Sequence, residues 1–220
     1  MELADGVYTV PVTLELEDRD VTLHPAAVET DRGIVLIDAG CPGIVDQLEA
    51  GLEAAGFDWN DVWATLLTHQ DVDHAGGLAD VVDRADPVVI AHRECAPYVD
   101  GRMEPIKMDD RRYPSVPVDI TLTEGDRFST IAGPMELLHT PGHAPGHLSL
   151  YFEEERLLLS GDALHAPEGR LAGPRGPLDE AEAIDSIRKL SPLDIERTLC
   201  YHGGFVEQGT DVIETLHSTD

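Results

Sequence analysis

The chain has 220 residues, and its hydrophobic (42%) and charged (26%) shares are ordinary for a globular protein. Forty-three acidic residues face 15 basic ones, a formal net charge of −28, and such a field repels nucleic-acid backbones and anionic membrane surfaces. No stretch approaches the roughly 18 apolar residues that a membrane-spanning helix needs.

In chain order the N-terminal third reads as strands. Residues 7–16 and 21–29 carry β-branched, alternating character, and Asp31-Arg32-Gly33 is a turn signal. The run Ile34–Ile37 predicts a strand covered on both faces, ending at Asp38-Ala39-Gly40. Ile44, Val45, Leu48, Leu52 and Ala55 keep a helical period, with Gly56 placed to end that helix. A second apolar strand, 62–67, runs into Thr68-His69. Short helices are expected around 77–84 and 93–99, with a strand at 87–91 between them. Residues 100–117, with three prolines, read as a surface loop. Strands follow at 118–122, 127–131, 134–139, 148–152 and 156–160, the last two joined as a hairpin across Glu153-Glu154-Glu155. A Gly- and Pro-rich loop (166–177) leads to a helix that Asp179 and Glu182 would cap. A strand at 198–201 precedes His202-Gly203-Gly204 and a last helix to about 217. The two halves echo each other: Ile34–Gly40 and Leu157–Ala163 are both apolar strands that end in an Asp flanked by Gly and Ala. No linker interrupts the chain, so a single domain spanning 1–220 is expected, with two packed sheets and helices on their outer faces.

The charge has a finer structure. Of the 15 basic residues only Lys107 and Lys189 are lysines, and the acids are spread along the chain without a tail. This reads as an acidic coat whose self-repulsion is screened in molar salt, the signature of an extreme halophile of haloarchaeal type. Cys41, Cys95 and Cys200 stand far apart and make no disulfide framework. The acidic N-terminus lacks the basic, then apolar, pattern of a secretory leader. A cytoplasmic protein, monomer or homodimer, is therefore expected.

Ten histidines are present, and their placement carries the chemistry. His69-Gln70-Asp71-Val72-Asp73-His74 puts four candidate ligands in six residues directly after an apolar strand. His143, Asp162 and His202 also sit at strand ends beside small residues, the way a sheet presents a convergent site at one edge. Imidazoles and carboxylates in this number suit two divalent ions, zinc first, with iron or manganese as the other options. His24, His92, His139 and His217 read as ordinary hydrogen-bonded histidines.

Together, His69-x-Asp71-x-Asp73-His74, Thr140-Pro141-Gly142-His143, Ser160-Gly161-Asp162, His202-Gly203 and Ile37-Asp38-Ala39-Gly40 resemble the motifs of the metallo-β-lactamase superfamily, in order and approximate spacing, over residues 7–205. The resemblance implies an αββα sandwich, an α/β fold. It assigns His69, position 71 and His143 to a first metal, Asp73, His74 and His202 to a second, and Asp162 to a bridge between them. It implies a hydrolase in which a hydroxide shared by the ions cleaves a small ester, thioester or lactone. Asp73 and Asp162 are then the catalytic carboxylates, and a metal-bound water, His165 or Tyr201 is the proton donor to the leaving group. Asp71 departs from the family pattern, which has His there. The resulting two-His, one-carboxylate set is also the ligand type of mononuclear Fe(II) oxygenases. A persulfide-dioxygenase-like oxidoreductase and a non-catalytic metal-binding module therefore remain as alternatives.

Little chain follows His202, so the helical C-terminal domain of glyoxalase II-type enzymes is not expected, and no flavodoxin-like or nuclease domain is apparent. A small acyl substrate, anionic or neutral, is the expected partner. The loop holding Arg102, Met103, Lys107, Met108, Arg111, Arg112 and Tyr113 is the expected contact for it, because it concentrates cations that the chain otherwise avoids.

Overall fold

The computed structural model describes residues 1–108 and 112–217. Its elements are β1 (Glu2–Ala4), β2 (Val7–Thr9), β3 (Val12–Glu15), β4 (Asp20–Leu23), β5 (Ala26–Thr30), β6 (Gly33–Ile37), α1 (Val45–Ala55), β7 (Val62–Leu67), α2 (Val72–Ala75), α3 (Leu78–Ala85), β8 (Val88–His92) and α4 (Ala96–Val99). The second half contributes β9 (Ile120–Leu122), β10 (Arg127–Thr130), β11 (Gly133–His139), β12 (Leu148–Phe152), β13 (Leu157–Gly161), α5 (Glu180–Leu190), β14 (Arg197–Cys200), β15 (Gly204–Val206) and α6 (Thr210–Leu216).

Seven strands form one sheet in the order β1-β2-β5-β6-β7-β8-β9, and six form the other in the order β10 to β15. The continuous apolar runs now have a cause. Along β6, Val35 and Ile37 point into the core between the sheets, while Ile34 and Leu36 point into the core under α1 and α3. Along β13, Leu157 and Leu159 face the other sheet, while Leu158 faces the core beneath α5 and α6. Both sides of each strand are covered, so no polar alternation is required. The result is the four-layer αββα sandwich.

The echo between the halves is structural as well. Both β6 and β13 have an antiparallel neighbour on one side (β5, β12) and a parallel one on the other (β7, β14). Each ends at a buried aspartate, Asp38 or Asp162.

Three features differ from the sequence expectation. The strands expected at 7–16 and 21–29 are each broken at a proline, Pro11 and Pro25, which lacks a ladder donor and constrains the residue before it. The pieces β3 and β4 leave the main sheet and pair as a separate hairpin. The three-residue strands β1 and β15 are too short to register as a period, and α2 is a single turn inside the histidine motif. The described part of the 100–117 loop is irregular, as expected; Arg111 lies outside the described residues. The three cysteines are free. Among the described residues no helix is long and apolar enough to cross a membrane.

The edges of the two sheets are tied together where the loops converge. The Leu148 N–H donates to the Thr68 carbonyl at 2.9 Å, and the His24 N–H to the Tyr201 carbonyl at 3.0 Å. Leu23 at the end of β4 bridges to His202.

Candidate metal centre

Loops after β6, β7, β11, β13 and β14 deliver Asp38, the 68–74 segment, His143, Asp162 and His202 to one edge. Turn α2 begins at Asp71, whose carbonyl accepts the N–H groups of His74 and Ala75 at 2.9 Å. That turn sends Asp71, Asp73 and His74 in separate directions. The turn carrying His143 is anchored by Gly142, whose φ is +113°; a Cβ there would meet the Ala183 nitrogen at 2.2 Å. No other residue lets this turn dock so close to α5.

Asp38, Thr68 and two histidines make a hydrogen-bond relay that fixes ring orientation. Asp38 accepts from the Thr68 N–H and hydroxyl at 2.8 Å, and from His74 Nδ1 at 2.8 Å. The Thr68 oxygen in turn accepts from His69 Nδ1 at 3.1 Å. Both rings carry their proton on Nδ1, and both Nε2 lone pairs are turned inward. His143 is fixed likewise: its Nδ1 donates to the Arg175 carbonyl. The result is that His69 Nε2, His74 Nε2 and Asp162 Oδ1 are buried with no hydrogen-bond partner. Buried polar atoms are rarely left so. An electron-pair acceptor between them is the chemistry this donor set fits.

Asp162 stands at the middle. Its Oδ1 is 3.5 Å from His74 Nε2, and its Oδ2 is 3.5 Å from His143 Nε2 and 3.4 Å from His202 Nε2. His202 Nε2 is also 3.1 Å from Asp73 Oδ2. Two sets of donor atoms converge, His69–His143–Asp162 and Asp73–His74–His202. Asp71 lies beside the first set, 3.1 Å from His143 Nε2 and 3.7 Å from His69 Nε2. Burial would raise these carboxyls, but the facing imidazoles outweigh it. His202 and His74 hold Asp73 at about 2, and Asp71 and Asp162 lie well below the usual carboxylate range. Among the described residues Asp38, Asp71 and Asp162 are the fully buried acids.

Several participants were not legible in the sequence. His147 is fully buried, and its Nε2 accepts the Asp162 N–H at 3.0 Å, so it positions the central carboxylate. Burial keeps it neutral, as an acceptor must be. Arg175, in the Gly- and Pro-rich loop, places Nη1 3.1 Å from His202 Nε2 and 3.8 Å from Asp162 Oδ2. Its rarity as a cation in this chain was the available signal. Gln70 is tied to the 100–117 loop, accepting the Ile106 N–H at 2.8 Å on its side chain and the Tyr113 hydroxyl at 2.8 Å on its carbonyl.

That loop enters the site through one residue. Lys107 Nζ lies 2.7 Å from Asp71 Oδ2 and 2.9 Å from His143 Nε2. The other cations turn elsewhere: Arg102 pairs with Asp100, and Arg112 with the carbonyls of Tyr98, Met103 and Tyr113. Met103 is exposed and Met108 packs on the core. Tyr201 also differs from expectation. Its hydroxyl donates to the Asp73 carbonyl, its ring stacks on His74 at 3.7 Å, and burial raises its pKa well above the ordinary value. A phenol so engaged positions the second donor set and is not placed to protonate a leaving group. His165 keeps that possibility: its Nδ1 donates to the Gly173 carbonyl at 2.7 Å, and it lines a cleft of about 280 Å³ with Arg19, Arg175 and His202.

Residues 26–202 match the family model described as the metallo-beta-lactamase superfamily. A hydroxyacylglutathione hydrolase of Ruegeria pomeroyi is 32% identical over 74% of this chain; the chain spans only 57% of that relative's length. An N-acyl homoserine lactonase of a Bacillus species is 27% identical over 82% of this chain and 80% of its own. A metallo-beta-lactamase family protein of Thermus thermophilus superposes with a TM-score of 0.78 at 22% identity, covering 99% of this chain and 80% of that one.

Proposed function

Because the chain belongs to the metallo-β-lactamase superfamily, we propose that this centre is that of a metal-dependent hydrolase acting on a small ester, thioester or lactone. The observation that carries the reading is the set of buried, partnerless lone pairs on His69, His74 and Asp162, aimed at common points by fixed tautomers. The thioester hydrolase and the lactonase among the relatives support the substrate class. His69 and His143 would hold one ion, Asp73, His74 and His202 another, with Asp162 between the two. A bound divalent ion, zinc by preference, supplies a lowered water pKa and a polarised carbonyl.

The chain's own residues do the rest. Asp38 and the Arg175 carbonyl hold the imidazoles in register, and His147 fixes Asp162. His165, whose Nδ1 donates to the Gly173 carbonyl, lines the cleft; its Nε2 would take the proton given up by the attacking water and pass it to the leaving atom. Arg19 and Arg175 line that cleft together with Asp20, so it offers guanidinium donors to an acyl substrate with an acidic group. The Fe(II) oxygenase alternative takes Asp71 as its third donor; Asp71 is engaged by Lys107 and Gln70, so its carboxylate would have to come from Asp162 or Asp73.

The test is a panel of esters, thioesters and lactones, run on zinc-, manganese- and iron-loaded protein in molar potassium chloride, where an acidic coat is screened. Hydrolysis of at least one panel member, abolished by chelation, is expected. Oxygen uptake with a persulfide by the iron form, without hydrolysis of any panel member, would overturn it.

A further inference from the structure

We propose that Lys107 occupies the place of the first metal ion, so that the chain holds its catalytic ion in the second donor set alone. The inference rests on the reading of this cluster as a metal centre and concerns how many ions it takes.

Four observations support it. The Lys107 ammonium lies 2.7 Å from Asp71 Oδ2 and 2.9 Å from His143 Nε2. An ion held by those atoms would sit about 2.0–2.2 Å from each, so it would compete with the ammonium for the same lone pairs. Second, both oxygens of Asp71 are engaged, Oδ1 by Gln70 Nε2 and Oδ2 by Lys107 Nζ. The convergent donor set on this side accordingly omits Asp71.

Third, the loop is built to hold the lysine there. Gln70, between His69 and Asp71, grips it on both sides: its side chain accepts the Ile106 N–H, and its carbonyl accepts the Tyr113 hydroxyl. Met108 packs against the core on the other flank. Lys107 itself has a φ of +63°, a left-handed conformation that a lysine adopts only when its surroundings impose it.

Fourth, the charges balance. The family motif has a neutral imidazole where Asp71 stands. An aspartate alone would add a negative charge to the centre, and an aspartate with a lysine restores neutrality. Asp71 and Lys107, one of the chain's two lysines, neutralise each other at 2.7 Å. In the second set a cation reaches one ligand only, Arg175 Nη1 at 3.1 Å from His202 Nε2, while the buried His74 Nε2 has no hydrogen-bond partner.

The experiment is metal counting by elemental analysis after zinc saturation and desalting in molar salt, on the wild type and on Lys107→Met. Thermal melting confirms that the variant folds; Lys107→Gln replaces it if it does not. About one ion per chain is expected in the wild type and about two in the variant, a twofold rise that a merely structural lysine would not produce. Two ions in the wild type, or one in both proteins, overturns the inference and leaves the hydrolase reading standing. No ion in either protein overturns both.

Discussion

Two regions of this molecule bring imidazoles and a carboxylate together, and only one of them is built as a metal centre. Around Asp162, the rings of His69, His74 and His143 give their Nδ1 protons to Thr68, Asp38 and the Arg175 carbonyl, and aim their lone pairs inward. At the ends of β8 and β11, His92, Glu94 and His139 also converge. There, however, the rings stack face to face at 4.2 Å and 17°. His92 Nδ1 accepts the Glu94 N–H at 3.3 Å, which leaves the hydrogen on Nε2 and no lone pair free. His139 Nε2 is buried without a hydrogen-bond partner, 4.0 Å from Glu94, so this cluster offers one such imidazole where the Asp162 centre offers two. The difference lies in the partners behind the rings. Convergence of ligand types is common; a support that fixes every tautomer toward one point is the distinguishing feature.

The largest effect should come from the carboxylate that faces imidazoles of both donor sets. Asp162→Ala removes the one group within 3.5 Å of three imidazoles. Hydrolytic kcat/KM should fall on the order of 10³-fold, with metal content falling alongside it. His92→Asn should leave both unchanged. If the two variants cost the same activity, the contrast between the regions is lost.

A smaller effect isolates the support from the ligands. Asp38 touches no substrate, yet it accepts three hydrogen bonds that set the rings of His69 and His74. In Asp38→Asn the amide nitrogen would face the His74 Nδ1–H, donor against donor, and the ring would lose its tautomer preference. Metal affinity should drop by about 10–100-fold with all ligands still present, read by competition with a chromophoric chelator. An unchanged affinity would show that packing alone orients the rings.

How far the sequence reveals this follows from the range of each signal. β6 and β13 are read correctly because a strand buried on both faces is written as an uninterrupted apolar run. β3 and β4 are misread because Pro11 and Pro25 act through which sheet a strand joins, and a period does not encode that. The candidate ligands are legible because they follow strand ends within a few residues and carry donor side chains. Lys107, Arg175 and Gln70 are harder, since their roles exist only once distant loops fold over the site. Lys107 was expected to meet substrate; its contacts are instead with Asp71 and His143. Asp38, expected to be structural near the site, is so, and the reason is now specific. Tyr201 looked like an acid because it adjoins His202, but adjacency in sequence does not say where a hydroxyl points.

The smallest expected effect concerns the second region alone. Burial lowers the pKa of His92 from an ordinary 6.5 to about 4, with the His139 ring also opposing a charge there, and burial lowers that of His139 as well. Both are therefore neutral in the fold. A base whose folded pKa is depressed takes up its proton more readily when unfolded. Its contribution to stability is thus complete above about pH 6.5 and is lost as the pH falls toward 4. Between pH 7 and pH 5 the pair should cost about 1 kcal/mol, once solvent screening is allowed for, or about 2–4 °C in Tm for a domain of this size. His92→Asn keeps an acceptor for the Glu94 N–H but has no proton to gain. The Tm decrease on acidification should therefore be smaller in this variant than in the wild type by about that amount, at unchanged metal content. An equal decrease in both proteins would mean that the stacked pair does not titrate on its own account, and that the acid sensitivity of the fold belongs to the Asp162 centre.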